Sequence, residues 1–490
     1  MESLVSVSGV RGIVGESFTE ELMRKWAAGF GLLLDRKQRT AGSRIVVIGR
    51  DTRPSGEWAL RLAAETLLRA GIQPIVLGIV PTPTVQLAVT HHRAAGGIII
   101  TASHNPSEWN GLKFLGSDGV FLSAEEMEKL RQNVIASERS NPRDPSRQLQ
   151  DDPAGRIASA ALQSRNDGTN DDAAIQRHIE NVLVLPIDVE RIRAREFRVV
   201  LDPVNGTGGL AVSPLLERFG CTVIVINGEP NGEFSHPPEP TPANLQELGT
   251  AVREHRADLG IAVDPDADRL VLVDETGTVL SEECTVTLAV LAVLSSPNTP
   301  ACPAGRQHPT SNTRTVVVNL STTRMVDDVA RQFGARVIRT PVGERHVVEG
   351  MRQHGALIGG EGNGGVIFPK SHEGRDSLVG IALILDLLAR RETTLARLAE
   401  ELPRYAMTKE KLPRGSNGFE TPQLSVALRR AFPDAQMTTL DGIRVDTTDG
   451  WVHLRPSNTE PVVRLIAEAR TETVLERLCA AVRQTFSAQA

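Results

Sequence analysis

Three stretches of this chain follow one plan, and that repetition restricts the fold more than any other feature. An apolar run, Ile45–Gly49, opens into the polar loop RDTRPSG, a helical pattern ending at Gly71 and a second apolar run at Ile75–Leu77. Val199–Leu201 opens into DPVNGTGG, a helical pattern ending at Gly220 and a run at Val223–Ile226. Val316–Val318 opens into NLSTTR, a helical pattern ending at Gly334 and a run at Val337–Ile338. Glycine stops a helix because it takes up left-handed backbone without steric cost. Each unit continues through another helix to a short apolar strand and a polar loop: Gly97–Ile100 into TASHNP, Ile261–Val263 into DPDADR, and Ala356–Ile358 into GGEGNGG. Strands alternating with helices build βαβ units and largely parallel sheets. In such sheets chemistry collects beyond the carboxyl ends of the strands, which is where all these loops fall.

The last part of the chain departs from the plan. A helix near 424–432 precedes strand-like Gly442–Val445, Trp451–Leu454 and Val462–Ala467, then a helix from about Thr473. This reads as a separate, mostly antiparallel α+β domain. Residues 137–172 and 295–313, rich in Ser, Pro, Asn and Asp, read as linkers or insertions.

Net charge is −6, without a Lys/Arg block or basic tail, which argues against nucleic-acid or membrane-surface partners. The cleanest apolar run, Val286–Leu294, is too short for a bilayer, which needs about 20 residues. The start, MESLVSVSG, lacks the pattern of a signal peptide. The four cysteines, Cys221, Cys284, Cys302 and Cys479, lie far apart with no CxxC, as expected of a reducing compartment. A cytoplasmic protein of three or four domains is expected.

The polar loops carry the chemistry. Asp264, Asp266 and Asp268 in DPDADR offer hard oxygen ligands suited to Mg²⁺. Glu275 at the twelfth position imitates a calcium EF-hand, but Arg269 stands where the sharp turn needs Gly, and the flanks IAV and LVLV are strands. That leaves a metal loop or a solvated acidic turn. GGEGNGG holds a formal GxGxxG from Gly360 to Gly365, yet VIFPKS follows instead of the helix a dinucleotide fingerprint must open. Its glycines let backbone approach a ligand, with Glu361 and Asn363 as hydrogen-bonding groups, unless it is a plain turn. TASHNP places Ser103 and His104 at a strand end without the GxSxG of a serine hydrolase. Ser103 there is either part of a turn or a carrier of phosphate, with Arg11, Arg53 and Lys113 as cationic candidates. RPSNTEPVVR sets Ser457, Asn458 and Thr459 between Arg455 and Arg464, a phosphate cradle unlike a Walker loop, or a structural ion pair with Glu460.

Together these loops resemble the α-D-phosphohexomutase superfamily, at full length and in order. The matching segments are SGVRG (8–12), TASHNP (101–106), DPDADR (264–269), GEGNGG (360–365) and RPSNTEP (455–461). The resemblance implies three similar mixed α/β domains plus a C-terminal α+β domain around a central cleft. Boundaries are expected at 1–157, 174–299, 300–402 and 403–490. It implies that Ser103 is the phosphoserine, and that Asp264, Asp266 and Asp268 hold Mg²⁺ with the phosphoserine oxygen. Arg269, Glu361 and Asn363 would contact the sugar phosphate. Arg455, Ser457, Asn458, Thr459 and Arg464 would grip the phosphate that is not transferred. Lys113 and His104 are expected as acid/base or charge-stabilising groups, with Arg11 and Arg53 lining the phosphoserine. A sugar 1,6-bisphosphate is implied as intermediate and activator, and a monomer or homodimer fits equally.

GEGNGG differs from the GEMSGH-like loop common in glucose- and mannose-directed members. Together with TPVGERHV (340–347) and ITASHNPSEWNGLKF (100–114), it is more similar to bacterial phosphoglucosamine mutases. Phosphomannomutase or phosphoglucomutase activity by the same mechanism is the alternative, with an Mg²⁺-dependent sugar phosphatase or a non-catalytic sugar-phosphate binder more distant. Val7 stands where the family often has Thr.

Overall fold

A computed structural model describes residues 4–6, 9–37, 43–139, 170–299, 314–413, 421–456 and 462–487. The boundaries expected at 157 and 300, most of the stretches 137–172 and 295–313, and Val7 lie outside the described residues. The chain divides into two compact units, one of Met1–Thr285 with Gly364–Arg397, the other of Val286–Asn363 with Leu398–Ala490.

In the first unit, one sheet holds β1 (Leu4–Ser6), β2 (Gly9–Ile13), β3 (Ile45–Arg50), β4 (Gln73–Ile79), β5 (Gly96–Ile100) and β6 (Trp109–Leu115). Their order is β1-β2-β6-β5-β3-β4. β3 pairs in parallel with β4 and β5, while β1, β2 and β6 run antiparallel to their neighbours. Helices α1 (Glu20–Lys37), α2 (Gly56–Arg69) and α4 (Ala124–Arg139) bury Trp26, Phe30, Leu67 and Leu130 on one face, and α3 (Thr82–His91) packs Val85 and Ala88 on the other. The run IVVIGR is buried almost throughout because both faces are covered. Helix α5 (Ala174–Leu183) and the short α6 (Val189–Ala194) lead to a second sheet of β7 (Arg198–Asp202), β8 (Thr222–Val225), β9 (Leu259–Val263) and β10 (Leu270–Asp274), ordered β10-β9-β7-β8. With it come α7 (Gly208–Arg218) and α8 (Gln246–His255).

The sheets are therefore mixed where the strand–helix alternation points to parallel ones. TASHNP and DPDADR are each turned back on themselves, since β6 returns antiparallel to β5 and β10 to β9. The returning strand WNGLKFL escapes the apolar-run criterion because Asn110 and Lys113, both buried, interrupt it.

The chain passes through α9 (Glu282–Leu294) into the second unit. There β11 (Thr315–Asn319) pairs in parallel with β12 (Arg336–Thr340) and β13 (Ile358–Glu361), with α10 (Met325–Gln332) and α11 (Glu344–His354) as the crossovers. It returns to the first unit in β14 (Gly365–Ile367) and α12 (Ser377–Arg391), and leaves it in α13 (Leu395–Glu400). The rest of the second unit is an antiparallel sheet, β15 (Ala406–Pro413), β16 (Gln436–Thr438), β17 (Ile443–Asp446), β18 (Gly450–Pro456) and β19 (Val462–Ala469), in the order β15-β19-β18-β17-β16. Helices α14 (Thr421–Ala431) and α15 (Glu472–Ser487) bury Leu428, Leu475 and Val482 against it. The apolar run Val286–Leu294 is the buried part of α9, and no helix among the described residues is long and apolar enough to cross a membrane.

Gly9 shows why the first loop is built as it is. It opens β2 at φ +115°, and a Cβ there would lie 1.9 Å from the carbonyl oxygen of Leu112. We expect Gly9→Ala to destabilise the chain by at least about 2 kcal/mol, through backbone strain and overpacking against β6. The denaturant midpoint of the first unit would measure it, and an unchanged midpoint would contradict the packing.

Candidate functional site

The centre of the first unit is the turn between β9 and β10. Asp264, Asp266 and Asp268 are all buried, and one carboxylate oxygen of each lies within 4.8 Å of the others. Asp264 Oδ1 shapes the turn by accepting from the backbone N–H of Asp268 and of Arg269, each at 3.1 Å. Ala267 takes a left-handed φ of 51° to close it. The DPVNGTGG loop lies directly beneath, and glycine lets it approach. Thr207 donates N–H and O–H to the carbonyl of Pro265, and a Cβ on Gly206 would sit 2.7 Å from Pro265 Cα.

Cations surround the carboxylates. Lys113 Nζ on β6 lies 2.7 Å from Asp266 Oδ2 and 3.6 Å from Asp268 Oδ2. Arg375 reaches Asp268 Oδ2 at 2.6 Å, and Arg269 Nε stands 3.8 Å from Asp264 and 3.7 Å from Asp268. Thr82 donates to Asp266 Oδ2 at 2.8 Å. Burial and the two neighbouring carboxylates push Asp264 well above the usual carboxylate range. Burial pushes Asp266 the same way, but Lys113 and Thr82 outweigh it and hold that group below the range. Asp266 Oδ1 and Asp268 Oδ1 are buried without a hydrogen-bond partner. Buried carboxylate oxygens left without a proton donor are what a hard divalent cation takes up, so these residues fit Mg²⁺.

Ser103 joins them. Its hydroxyl donates to Asp264 Oδ2 at 2.9 Å, and it holds a left-handed φ of 51°, a strained conformation for a side chain with a Cβ. Thr101 Oγ1 accepts from the Ser103 N–H at 2.8 Å and donates to Asp51 at 2.7 Å, which fixes the strained turn. His104 Nδ1 is 3.4 Å from Ser103 Oγ. Burial, with the charges of Arg269 and Arg11, pushes His104 well below the ordinary histidine range and keeps its ring neutral. Arg11 on β2 donates to Asn105 Oδ1 at 2.9 Å.

Arg53 is placed differently from expectation. Its Nε donates to Asp51, and its two amino groups donate to the carbonyls of Ser103, Asn105, Pro106 and Trp109. All five donors of the guanidinium are thereby used. It staples the serine loop from beneath and has none left for a phosphate. Sequence reasoning also missed Arg375 and Thr82, which sit in SHEGRD and TPTV, ordinary polar segments whose partners lie more than a hundred residues away.

In the second unit, Glu361 ends β13 and is 4% exposed. Its Oε1 accepts from Asn319 at 2.8 Å and from the N–H of Gly343 at 2.9 Å, so NLSTTR and TPVGERHV converge on the glycine-rich loop. Thr322 accepts from Gly362 N–H at 3.1 Å, and Asn363 follows in the same loop. On the antiparallel sheet Arg455 stands opposite Arg464, and Arg464 opposite Lys411. Three cations therefore form one row on one face. Asp441 lies 3.5 Å from Arg455. Ser457, Asn458 and Thr459, between the two arginines, lie outside the described residues.

Comparison with known proteins gives the same picture along the whole chain. Four domain descriptions match in order: "Phosphoglucomutase/phosphomannomutase, alpha/beta/alpha domain I" at residues 3–141, domain II at 176–277, domain III at 302–405, and the C-terminal domain at 412–485. A phosphoglucomutase/phosphomannomutase of Thermococcus kodakarensis is 34% identical over 475 residues, covering 96% of each chain. A probable phosphoglucosamine mutase of Methanosarcina acetivorans is 35% identical over 468 residues, covering 95% of each. The crystal structure of a phosphoglucomutase/phosphomannomutase family protein from Burkholderia thailandensis superposes with a TM-score of 0.79 at 25% identity, over 100% of this chain and 98% of that one.

His453 gives the second unit a pH dependence. It is buried, with Nδ1 2.9 Å from Ser321 Oγ and Nε2 2.6 Å from the Asp441 carbonyl. Burial, assisted by Arg444 and Arg455 against the pull of Asp441, pushes it down to about 4. A histidine depressed on folding contributes stability that is complete above its unfolded value and is lost as pH falls towards its folded one. We expect the second unit to lose stability between pH 6.5 and about 4, and His453→Gln to flatten that slope. Denaturant midpoints across the window would show it.

Proposed function

The chain belongs to the phosphoglucomutase/phosphomannomutase family and is an isomerase of the phosphohexomutase class, and we propose that it interconverts glucosamine 6-phosphate and glucosamine 1-phosphate. The observation that carries the chemistry is Ser103 Oγ at 2.9 Å from Asp264, in a loop whose two orphaned carboxylate oxygens call for a cation. Asp264, Asp266 and Asp268, with an oxygen on Ser103, would hold Mg²⁺. When bound, that ion supplies positive charge to the oxygens of the transferring phosphoryl group.

Phosphorylated Ser103 gives its phosphoryl group to one end of the hexose phosphate, and the resulting 1,6-bisphosphate turns over and returns the other to Ser103. Neutral His104, 3.4 Å from the serine oxygen, takes the proton of the attacking sugar hydroxyl and returns a proton to the serine oxygen as its phosphoryl group leaves, and the exchange runs in reverse in the second transfer. Arg11 and Lys113 offset the negative charge around the serine, and Arg53 positions the loop. Arg269 meets the substrate beside the metal loop, while Glu361 and Asn363 contact the sugar. Arg455, Arg464 and Lys411, with Ser457, Asn458 and Thr459, bind the second phosphate. Little covalent work is asked of the protein, so positioning and charge account for the rate.

The amino sugar is favoured by Gly362 and Asn363 at the positions of the Met and Ser of GEMSGH-like loops, which alter the pocket in a way that suits an amine at C2. The name of the Thermococcus relative favours glucose or mannose as the second reading.

Phosphorus NMR with Mg²⁺ and a trace of sugar bisphosphate discriminates them. We expect the 1-phosphate signal to grow fastest from glucosamine 6-phosphate when glucose and mannose 6-phosphates are offered separately. Faster growth from either of those would keep the mechanism and change the sugar. Net release of inorganic phosphate would identify a phosphatase. Ser103→Ala should fold and lose turnover by a factor of roughly 10⁴ or more; normal turnover in that variant would sink the phosphoserine.

A further inference from the structure

The metal loop is held from two sides. On one side, the first turn of α3 donates the Thr82 hydroxyl to Asp266 Oδ2 at 2.8 Å and the Thr82 N–H to the Asp266 carbonyl at 2.9 Å. On the other, the entry to α12 brings Arg375 to Asp268 Oδ2 at 2.6 Å and the Ser377 hydroxyl to the Ala267 carbonyl at 2.7 Å. These two clamps fix Asp266 and Asp268, the two ligands with orphaned oxygens.

One side chain ties the clamps to each other. His178, on α5 and 1% exposed, has Nδ1 2.8 Å from Thr84 Oγ1, in the first turn of α3. Its Nε2 is 2.8 Å from Asp376 Oδ2, between Arg375 and Ser377. Asp376 is the N-cap of α12, its Oδ1 accepting from Leu378 and Val379 N–H, so moving Asp376 moves the start of that helix. His372 donates to the same Oδ2 at 3.0 Å. Both Asp376 oxygens are thus committed to N–H donors, which makes this cluster a bracket and not a second metal site.

We propose that His178 is a positioning residue for the metal loop, setting the separation of Asp266 and Asp268 by holding α3 and α12 at a fixed distance. Outer partners of metal ligands are commonly worth one to two orders of magnitude in affinity, roughly 10–100-fold. The proposal rests on the assignment of the aspartate loop to a divalent cation.

The test is Mn²⁺ binding to the full chain by electron paramagnetic resonance, alongside the KM for sugar phosphate. Parent and Asp268→Asn are compared first, and Asp268→Asn should lose the site. His178→Leu should bind Mn²⁺ about tenfold more weakly with KM unchanged, and His178→Gln, which keeps a donor for Asp376, should recover most of the loss. A general loss of packing would lower the melting temperature without singling out the cation. If His178→Leu fails to fold, Thr84→Val, which deletes one end of the bracket, carries the test with a loss of roughly threefold. Parent-like Mn²⁺ affinity in the folded variant overturns the bracket alone. A parent that binds no Mn²⁺, or an Asp268→Asn that binds it unchanged, overturns the metal loop and the bracket with it.

Discussion

Three carboxylates buried side by side in one turn are the constraint that shapes the first unit. Burying one unpaired charge is costly, and burying three together raises the cost further through mutual repulsion. The surrounding sequence answers that problem. Lys113 comes from β6, Arg375 from the entry to α12 and Arg269 from the turn itself, so three separate segments deliver cations to the three carboxyl groups. The match is incomplete in a specific way, because two inward carboxylate oxygens have no donor. A fully neutralised cluster would be inert. This one keeps two buried carboxylate oxygens without a donor beside a serine held in a strained conformation, an arrangement that fits a cation.

The motifs were legible in the sequence because each lies in a short contiguous loop at a strand end, where backbone geometry alone decides what the side chains share. DPDADR, TASHNP and GEGNGG can be read without knowing which strands pair. The antiparallel returns of β6 and β10 were harder, since β6 carries buried Asn110 and Lys113 within its apolar pattern. Lys113 is turned to the carboxylates and Asn110 donates to Ser55 Oγ in the RDTRPSG loop, so these polar tasks obscured the strand. Arg375, Thr82 and His178 were not legible at all. Each acts through a partner distant in sequence, and nothing in SHEGRD, TPTV or IQRHIE marks them until the fold is known.

The second unit solves the converse problem with cations. Like charges placed directly opposite on neighbouring strands destabilise a sheet, yet Lys411, Arg464 and Arg455 occupy consecutive positions across β15, β19 and β18. Asp441 offsets part of this at 3.5 Å from Arg455, and neutral His453 holds the Asp441 backbone without adding another charge. The proposed phosphate grip by these residues would supply an anion to that row.

Arg53 and Arg11 show that residue type alone does not assign a role in such a site. Both belong to loops that a motif reading places around the serine. The guanidinium of Arg53 spends every donor on Asp51 and on carbonyls of the loop it supports, and it is wholly buried. Removing it would leave several buried acceptors unpaired at once, which costs stability before it costs chemistry. Arg11 is only partly buried, and burial, together with Arg269 and Arg53 against the pull of Asp266 and Asp268, lowers its proton affinity. The distinction between the arginine that builds the loop and the arginine proposed to offset the phosphate therefore comes from counting donors, not from position in the motif.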